Sequence, residues 1–303
     1  MSFYPPFLSK GDKIAIVATA RKTNLEELQP FIAMAKNAGF EVVYTPNLFE
    51  SERQFAGTDE HRAADFQHWL NTAEVKAILL ARGGYGTARM VDGIDFSNFI
   101  ENPKWLIGFS DFTVIHTQVN CRYKIPTLHA AMPAFLKPDS KPEVVKSFTE
   151  MFDVLQGNMP TYQMPEHPLN NSGNCNGTLV GGNLSVIYST MGSVSEIDTT
   201  NAILFLEDLD EYLYHIDRMM VCLKRAGKLN SLCGIIVGHM NDMHDRGTPF
   251  GKTAEEIIKE HTEDLGIPSY FNLDAGHMRM NHPLIFGTQV KIENNCLIFG
   301  TSH

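Results

Sequence analysis

Over the first 130 residues, short β-branched apolar runs alternate with amphipathic stretches, and this alternation restricts the fold more than any other feature. Residues 13–18 (KIAIVA) read as a strand. Leu25, Leu28, Ile32 and Ala35 follow at the spacing of one helix face, and Gly39 is placed to end that helix. A second strand is expected at 41–44 (EVVY), and a helix at 58–71, with Thr58 as its cap and Asp59 and Glu60 in its first turn. Third and fourth strands are expected at 75–81 (VKAILLA) and 104–109 (KWLIGF). Near-continuous apolar strands separated by helices predict a parallel sheet covered on both faces, with ligands at the carboxyl ends of its strands.

A helical pattern at 142–156 leads out of this first unit, so an N-terminal α/β domain is assigned to residues 1–156. Residues 157–176, rich in Asn, Pro and Gly, read as a linker, and a second domain is assigned to 177–303. In that second half, 202–206 (AILFL) and 232–238 (LCGIIVG) read as strands. A helix at 215–226 stops at Gly227, and another spans 253–265. Residues 289–292 and 296–299 flank Asn294 and Asn295, a pairing expected to form a hairpin because Asn tolerates positive φ.

The chain has 303 residues with 25 Lys+Arg against 35 Asp+Glu, a net charge of −10 without a concentrated basic stretch, which argues against nucleic-acid or anionic-membrane partners. No run of about 18 apolar residues suggests a spanning helix, and the first residues carry no secretory pattern, so a cytoplasmic location is expected. The five cysteines are scattered and form no CxxC pair, so reduced thiols are expected. His239, Asp242, His244 and Asp245 cluster in VGHMNDMHDRG, yet HExxH and paired ligand motifs are absent, and neither a metal nor any other cofactor is assigned.

Four segments can carry chemistry. In LIGFSDFTVIH (106–116) a strand runs through Gly108 into Ser110 and then a helix. Such a serine either merely caps the helix or stands exposed on a nucleophile elbow, although the second glycine of G-x-S-x-G is missing. ARGGYGTAR (81–89) follows a strand, and its Gly83, Gly84 and Gly86 allow a turn that aims amides at an anion; without the terminal Lys-Ser/Thr it is no P-loop. FLEDLDEYLYHIDR (205–218) delivers Glu207 at the end of a buried strand, where an unpartnered carboxylate is costly, whereas Asp208, Asp210 and Glu211 read as turn or solvated residues. His277 lies in a glycine-containing loop, LDAGHMRMNHPLIFG, and His129 near the carboxyl edge of the first sheet.

In order, GDKIAIVATA (11–20), RGGYGTARMVDGIDF (82–96), PKWLIGFSDFT (103–113), GGNLSVI (181–187), LEDLDEYLYHIDR (206–218) and AGHMRMNHPLIFG (275–287) make the chain resemble the LD-carboxypeptidase family of serine peptidases, the muramoyltetrapeptide carboxypeptidases. The resemblance implies an N-terminal flavodoxin-like or amidotransferase-like parallel-sheet domain and a C-terminal β-rich α/β domain. It further implies Ser110 as nucleophile, Glu207 as the acidic member and His277 as the general base, so that the two domains complete one site. Phe109 stands where many members have tyrosine, and Ala130 follows His129 where glycine is expected.

Acyl transfer needs donors for the developing oxyanion, and the backbone amides of Asp111 and Gly84 are the candidates. The implied reaction releases the terminal D-alanine of a muropeptide tetrapeptide at an LD bond during cytoplasmic peptidoglycan recycling. An exopeptidase must also hold a free carboxylate, for which Arg82 and Arg279 are the candidates, with His129 as a further substrate contact. The resemblance suggests a homodimer. Two other readings compete: immunity hydrolases of the same family that cleave a peptidyl-nucleotide antibiotic, and a non-catalytic small-molecule or nucleotide binder.

Overall fold

The computed structural model describes residues 4–300. Its first half contains β1 (Lys13–Val17), α1 (Leu25–Asn37), β2 (Glu41–Val43), α2 (Asp59–Asn71), β3 (Val75–Leu80), α3 (Thr87–Met90), α4 (Ser97–Glu101), β4 (Trp105–Gly108), α5 (Thr113–Tyr123), β5 (Thr127–His129) and α6 (Pro142–Leu155). The local signals act where the sequence puts them. Asn24 and Thr58 accept hydrogen bonds from the amides of Glu27 and His61 to cap α1 and α2, and Gly39 takes the left-handed conformation (φ 96°) just past α1.

The second half adds β6 (Thr161–Gln163), β7 (Cys175–Asn183), α7 (Leu184–Ser189), β8 (Ala202–Leu209), α8 (Leu213–Arg225), β9 (Gly234–Asn241), α9 (Ala254–Thr262), β10 (Ser269–Tyr270), β11 (Leu284–Phe286), β12 (Thr288–Glu293) and β13 (Cys296–Phe299). Asn294 (φ 52°) and Asn295 (φ 58°) form the expected turn between β12 and β13. Thr253 and Glu256 close a reciprocal capping box at the start of α9.

Two sheets result. The first runs β11-β5-β4-β3-β1-β2, with β5 to β2 parallel and β11 antiparallel at its edge. The second runs β10-β9-β8-β7-β12-β13-β6, parallel from β10 to β7 and antiparallel beyond. This is a mixed α/β architecture. Two features differ from the sequence reading. Residues 161–163 lie within the expected linker yet pair with β13 as an edge strand, because the alternation around Tyr162 buries that ring against the second sheet. Residues 284–286, expected in the second domain, cross over and hydrogen-bond to β5, covering an otherwise open edge of the first sheet.

One continuous core joins the halves: Leu128 and Phe148 pack in the same cluster as Leu179, Phe205 and Phe286. The carboxyl end of β4, which carries Ser110, therefore faces the ends of β7 and β8 across a packed seam. The seam is close, since Thr113 Oγ1 accepts the Asn183 amide at 3.0 Å, and a Cβ on Gly182 (φ 137°) would collide with that threonine.

Candidate active site

At the end of β4 the chain turns sharply. Phe109 is extended (φ −152°), Ser110 adopts φ 63°, and a single 3-10 turn over Ser110–Phe112 precedes α5. A non-glycine residue in the left-handed region is strained, and here the strain lifts the hydroxyl out of the turn. The capping alternative fails, because α5 has no side-chain cap and Ser110 Oγ instead donates to His277 Nε2 at 3.1 Å. On the other ring nitrogen, His277 Nδ1–H donates to Glu207 Oε2 at 2.6 Å. Three residues separated by up to 167 positions thus form one chain of hydrogen bonds.

Glu207 is fully buried within β8, which continues to Leu209, beyond its expected end. Burial pushes its carboxyl upward, but the charge and hydrogen bond of His277 outweigh that and hold it below the ordinary glutamate range. For His277, burial disfavours the imidazolium, and Glu207 more than offsets it, so its pKa is raised. Asn241 Nδ2 donates to the His277 carbonyl at 2.6 Å, and the Phe109 ring meets the imidazole edge-on with centroids 4.9 Å apart. Phenylalanine in place of tyrosine leaves this packing surface free of a hydroxyl.

Ser110 and His277 open onto a cleft of about 450 Å³, whose walls also carry Arg21, Arg82, Gly84 and Asp208. Gly83 comes so close that a Cβ on it would sit 3.1 Å from Ser110 Oγ. Arg82 is partly buried and bonds Glu27 Oε2 at 3.2 Å while remaining at the cleft wall. Arg279 is exposed and lines a separate cavity of about 750 Å³ that shares His277 and Phe135 with the cleft.

The expected substrate contact at His129 is not found. β5 lies between β4 and β11, so the ring is fully buried among Phe109, Phe205 and Phe286, and burial lowers its pKa to about 4. Its Nε2 instead meets Asn281 Oδ1 at 3.3 Å, and that oxygen also accepts the Gly276 amide at 2.9 Å, which braces the loop carrying His277 from beneath.

Sequence reasoning also passed over Asp208. Read as the start of a turn, it is a buried strand residue whose carboxylate accepts Asn183 Nδ2 at 2.9 Å and the Ser185 amide at 2.8 Å. Burial, with the neighbouring Glu207 charge, pushes it up to about 7. The GGN triplet at the end of β7 is its one signal in the sequence.

Similarity to known proteins identifies the family. Residues 14–130 match the model of the LD-carboxypeptidase N-terminal domain, and residues 176–292 that of the LD-carboxypeptidase C-terminal domain. A probable murein peptide carboxypeptidase of Bacillus subtilis (strain 168) is 33% identical over 281 residues, covering 91% of this chain and 87% of the relative. Among solved structures, the muramoyltetrapeptide carboxypeptidase of Oxalobacter formigenes superposes with a TM-score of 0.85 at 23% identity, covering 96% of this chain and all (100%) of that one. The microcin C7 self immunity protein MccF, in complex with aspartyl sulfamoyl adenosine, gives 0.87 at 20% identity and 98% coverage of both chains. The last two likenesses concern the fold. On the domain matches and the Bacillus relative, the chain belongs to the LD-carboxypeptidase family of serine peptidases and is a carboxypeptidase.

Proposed function

We propose that this enzyme releases the terminal D-alanine of a muropeptide tetrapeptide at an LD bond, with Ser110 as nucleophile, His277 as general base and Glu207 as its orienting acid, in cytoplasmic recycling of the cell wall. The observation that carries the reading is the unbroken Ser110–His277–Glu207 hydrogen-bond chain opening on one cleft. His277 takes the Ser110 proton as Oγ attacks the scissile carbonyl, then returns it to the leaving amine. Water, activated by the same imidazole, releases the acyl group. Glu207 holds the tautomer with Nε2 free to accept and stabilises the transient imidazolium. The backbone amides of Asp111 and Gly84 receive the oxyanion, each contributing about 3 kcal/mol of transition-state stabilisation. Of the two cations named for the substrate carboxylate, Arg82 shares the cleft with Ser110, whereas Arg279 opens on the far side of His277.

The test is release of D-alanine from a synthetic tetrapeptide, followed by mass spectrometry. Ser110→Ala and His277→Ala should retain the wild-type melting temperature within a few degrees and lose at least about 10³-fold in kcat. Amidating the peptide's C-terminus should abolish cleavage. Near-wild-type turnover by either variant would remove the triad, and equal rates on the amide would make the enzyme an endopeptidase or amidase. The peptidyl-nucleotide reading shares this triad. Against it, both tryptophans of the chain, Trp69 and Trp105, are buried and neither lines the cleft, so no indole is offered to a nucleobase. Parallel turnover of a peptidyl-nucleotide separates the two.

A further inference from the structure

Two buried charges beside the cleft have no part in the triad. Arg62 sits on α2, a helix whose polar sequence suggests solvent exposure, yet it is only 2% exposed. Its guanidinium donates to the Thr19 carbonyl and, at 2.9 Å, to the Gly86 carbonyl, pairs with Asp59 and stacks 5.0 Å from the Phe55 ring centre. Asp111, next to Ser110, is 3% exposed. Its Oδ2 accepts the Thr87 amide at 2.8 Å. The hydroxyls of Thr19 and Thr87 meet at 2.7 Å between them.

The glycine-rich loop is thus gripped at one end from both sides, by the Gly86 carbonyl through Arg62 and by the Thr87 amide through Asp111. The grip is needed because the loop itself is soft: Gly84 (φ 130°) and Gly86 (φ 150°) occupy conformations that glycine enters and leaves freely. Burying two charges to hold a loop is costly compared with an apolar contact, so stability alone does not account for them. Preorganised donors do account for them, since a donor displaced by even an ångström loses most of its effect on a transition state. Asp111 would also supply an oxyanion amide from its own backbone, which ties both donors to a single residue.

We propose that Arg62 and Asp111 are positioning residues that clamp residues 83–87 against the Ser110 turn and so set the spacing of the two oxyanion donors. The proposal rests on the serine mechanism above. It assigns them an effect on the tetrahedral species and none on the bound ground state.

The experiment compares wild type, Asp111→Asn and Arg62→Lys in three measurements: kcat and KM on the tetrapeptide, inhibition by N-acetyl boro-lysine, which forms a tetrahedral adduct with the serine, and binding of uncleaved tetrapeptide in a Ser110→Ala background. The expected result is a fall in kcat of about 10- to 100-fold with KM within twofold, boronate affinity weakened by the same factor, and ground-state binding unchanged. The clamp is overturned by unchanged kcat, by a loss carried in KM and ground-state binding, or by boronate affinity that does not follow kcat. If Asp111→Asn does not fold, Arg62→Lys, which keeps the charge and loses the fork, decides by the same readouts. A wild-type protein that cleaves no tetrapeptide but binds the boronate, with the variants weakened, would sink the substrate assignment and leave the clamp standing.

Discussion

At Ser110 a positive φ of 63° costs about 1–3 kcal/mol, and the compensation is visible around it: Phe109 and Phe112 are buried on either side, and Thr113 N–H bonds the Ser110 carbonyl. Its partner His277 owes its raised pKa to Glu207, and this fixes a pH dependence. In the proposed mechanism His277 must be neutral to act, so kcat/KM should rise with pH through a midpoint above the ordinary imidazole value of about 6.5. Glu207→Gln removes the charge that favours the imidazolium. The acid limb should move to lower pH while the plateau falls by about 10³-fold or more, as read from a pH–rate profile. A limb that stays in place would show that Glu207 does not set the pKa of the base. The triad candidates could be named from sequence because the ordered blocks that hold them resemble one family, each block being weak on its own. Arg62 and Asp208 could not, since an acidic or basic residue in a polar stretch reads as solvated until its buried partners are known.

Elements carry the geometry across the seam. β7 ends in GGN, where Gly182 admits the Thr113 side chain and Asn183 both bonds that threonine and donates to Asp208 on β8. The helix behind Ser110 and the strand bearing Glu207 are thereby held in register through one small residue. Gly182→Ala should cost about 1–3 kcal/mol from backbone strain at φ 137° and lower kcat as well, because Thr113 must move and it lies three residues from Ser110. Urea denaturation with parallel kinetics checks this, and a variant as stable and active as wild type would refute the close seating. Strands and helices in the first half were legible because period and caps agree there: Thr58 caps α2 as its position implies, and β1 and β3 coincide with their apolar runs. The three-residue strands β6 and β11 were not, since so short a stretch carries too little pattern to say which sheet it will join.

For the molecule as a whole, the crossing of β11 and the shared core make the halves interdependent. Leu284, Ile285 and Phe286 pair with His129, Leu128 and Thr127, and removing them would expose both the β5 edge and the apolar surface around Phe205. Heating should therefore produce a single cooperative transition in differential scanning calorimetry, with equal calorimetric and van't Hoff enthalpies. Two resolved transitions would mean that the seam is weaker than its packing indicates. The interdependence also bears on the site, since Ser110 comes from one sheet, and Glu207 and His277 from segments packed on the other.

The sequence by itself determined the α/β class, the cap and turn positions and the strand that leads into Ser110, because these depend on local periodicity and on residue types a few positions apart, and it pointed to Glu207 and His277 through the resemblance of its ordered blocks to one family. Only the tertiary structure decided that Ser110 faces His277 rather than capping α5, that His129 is walled in, that Arg82 rather than Arg279 shares the cleft, and that Arg62 and Asp111 are buried. Each of these depends on which distant surface excludes water from the residue. That is set when the two sheets pack, not by the neighbours along the chain.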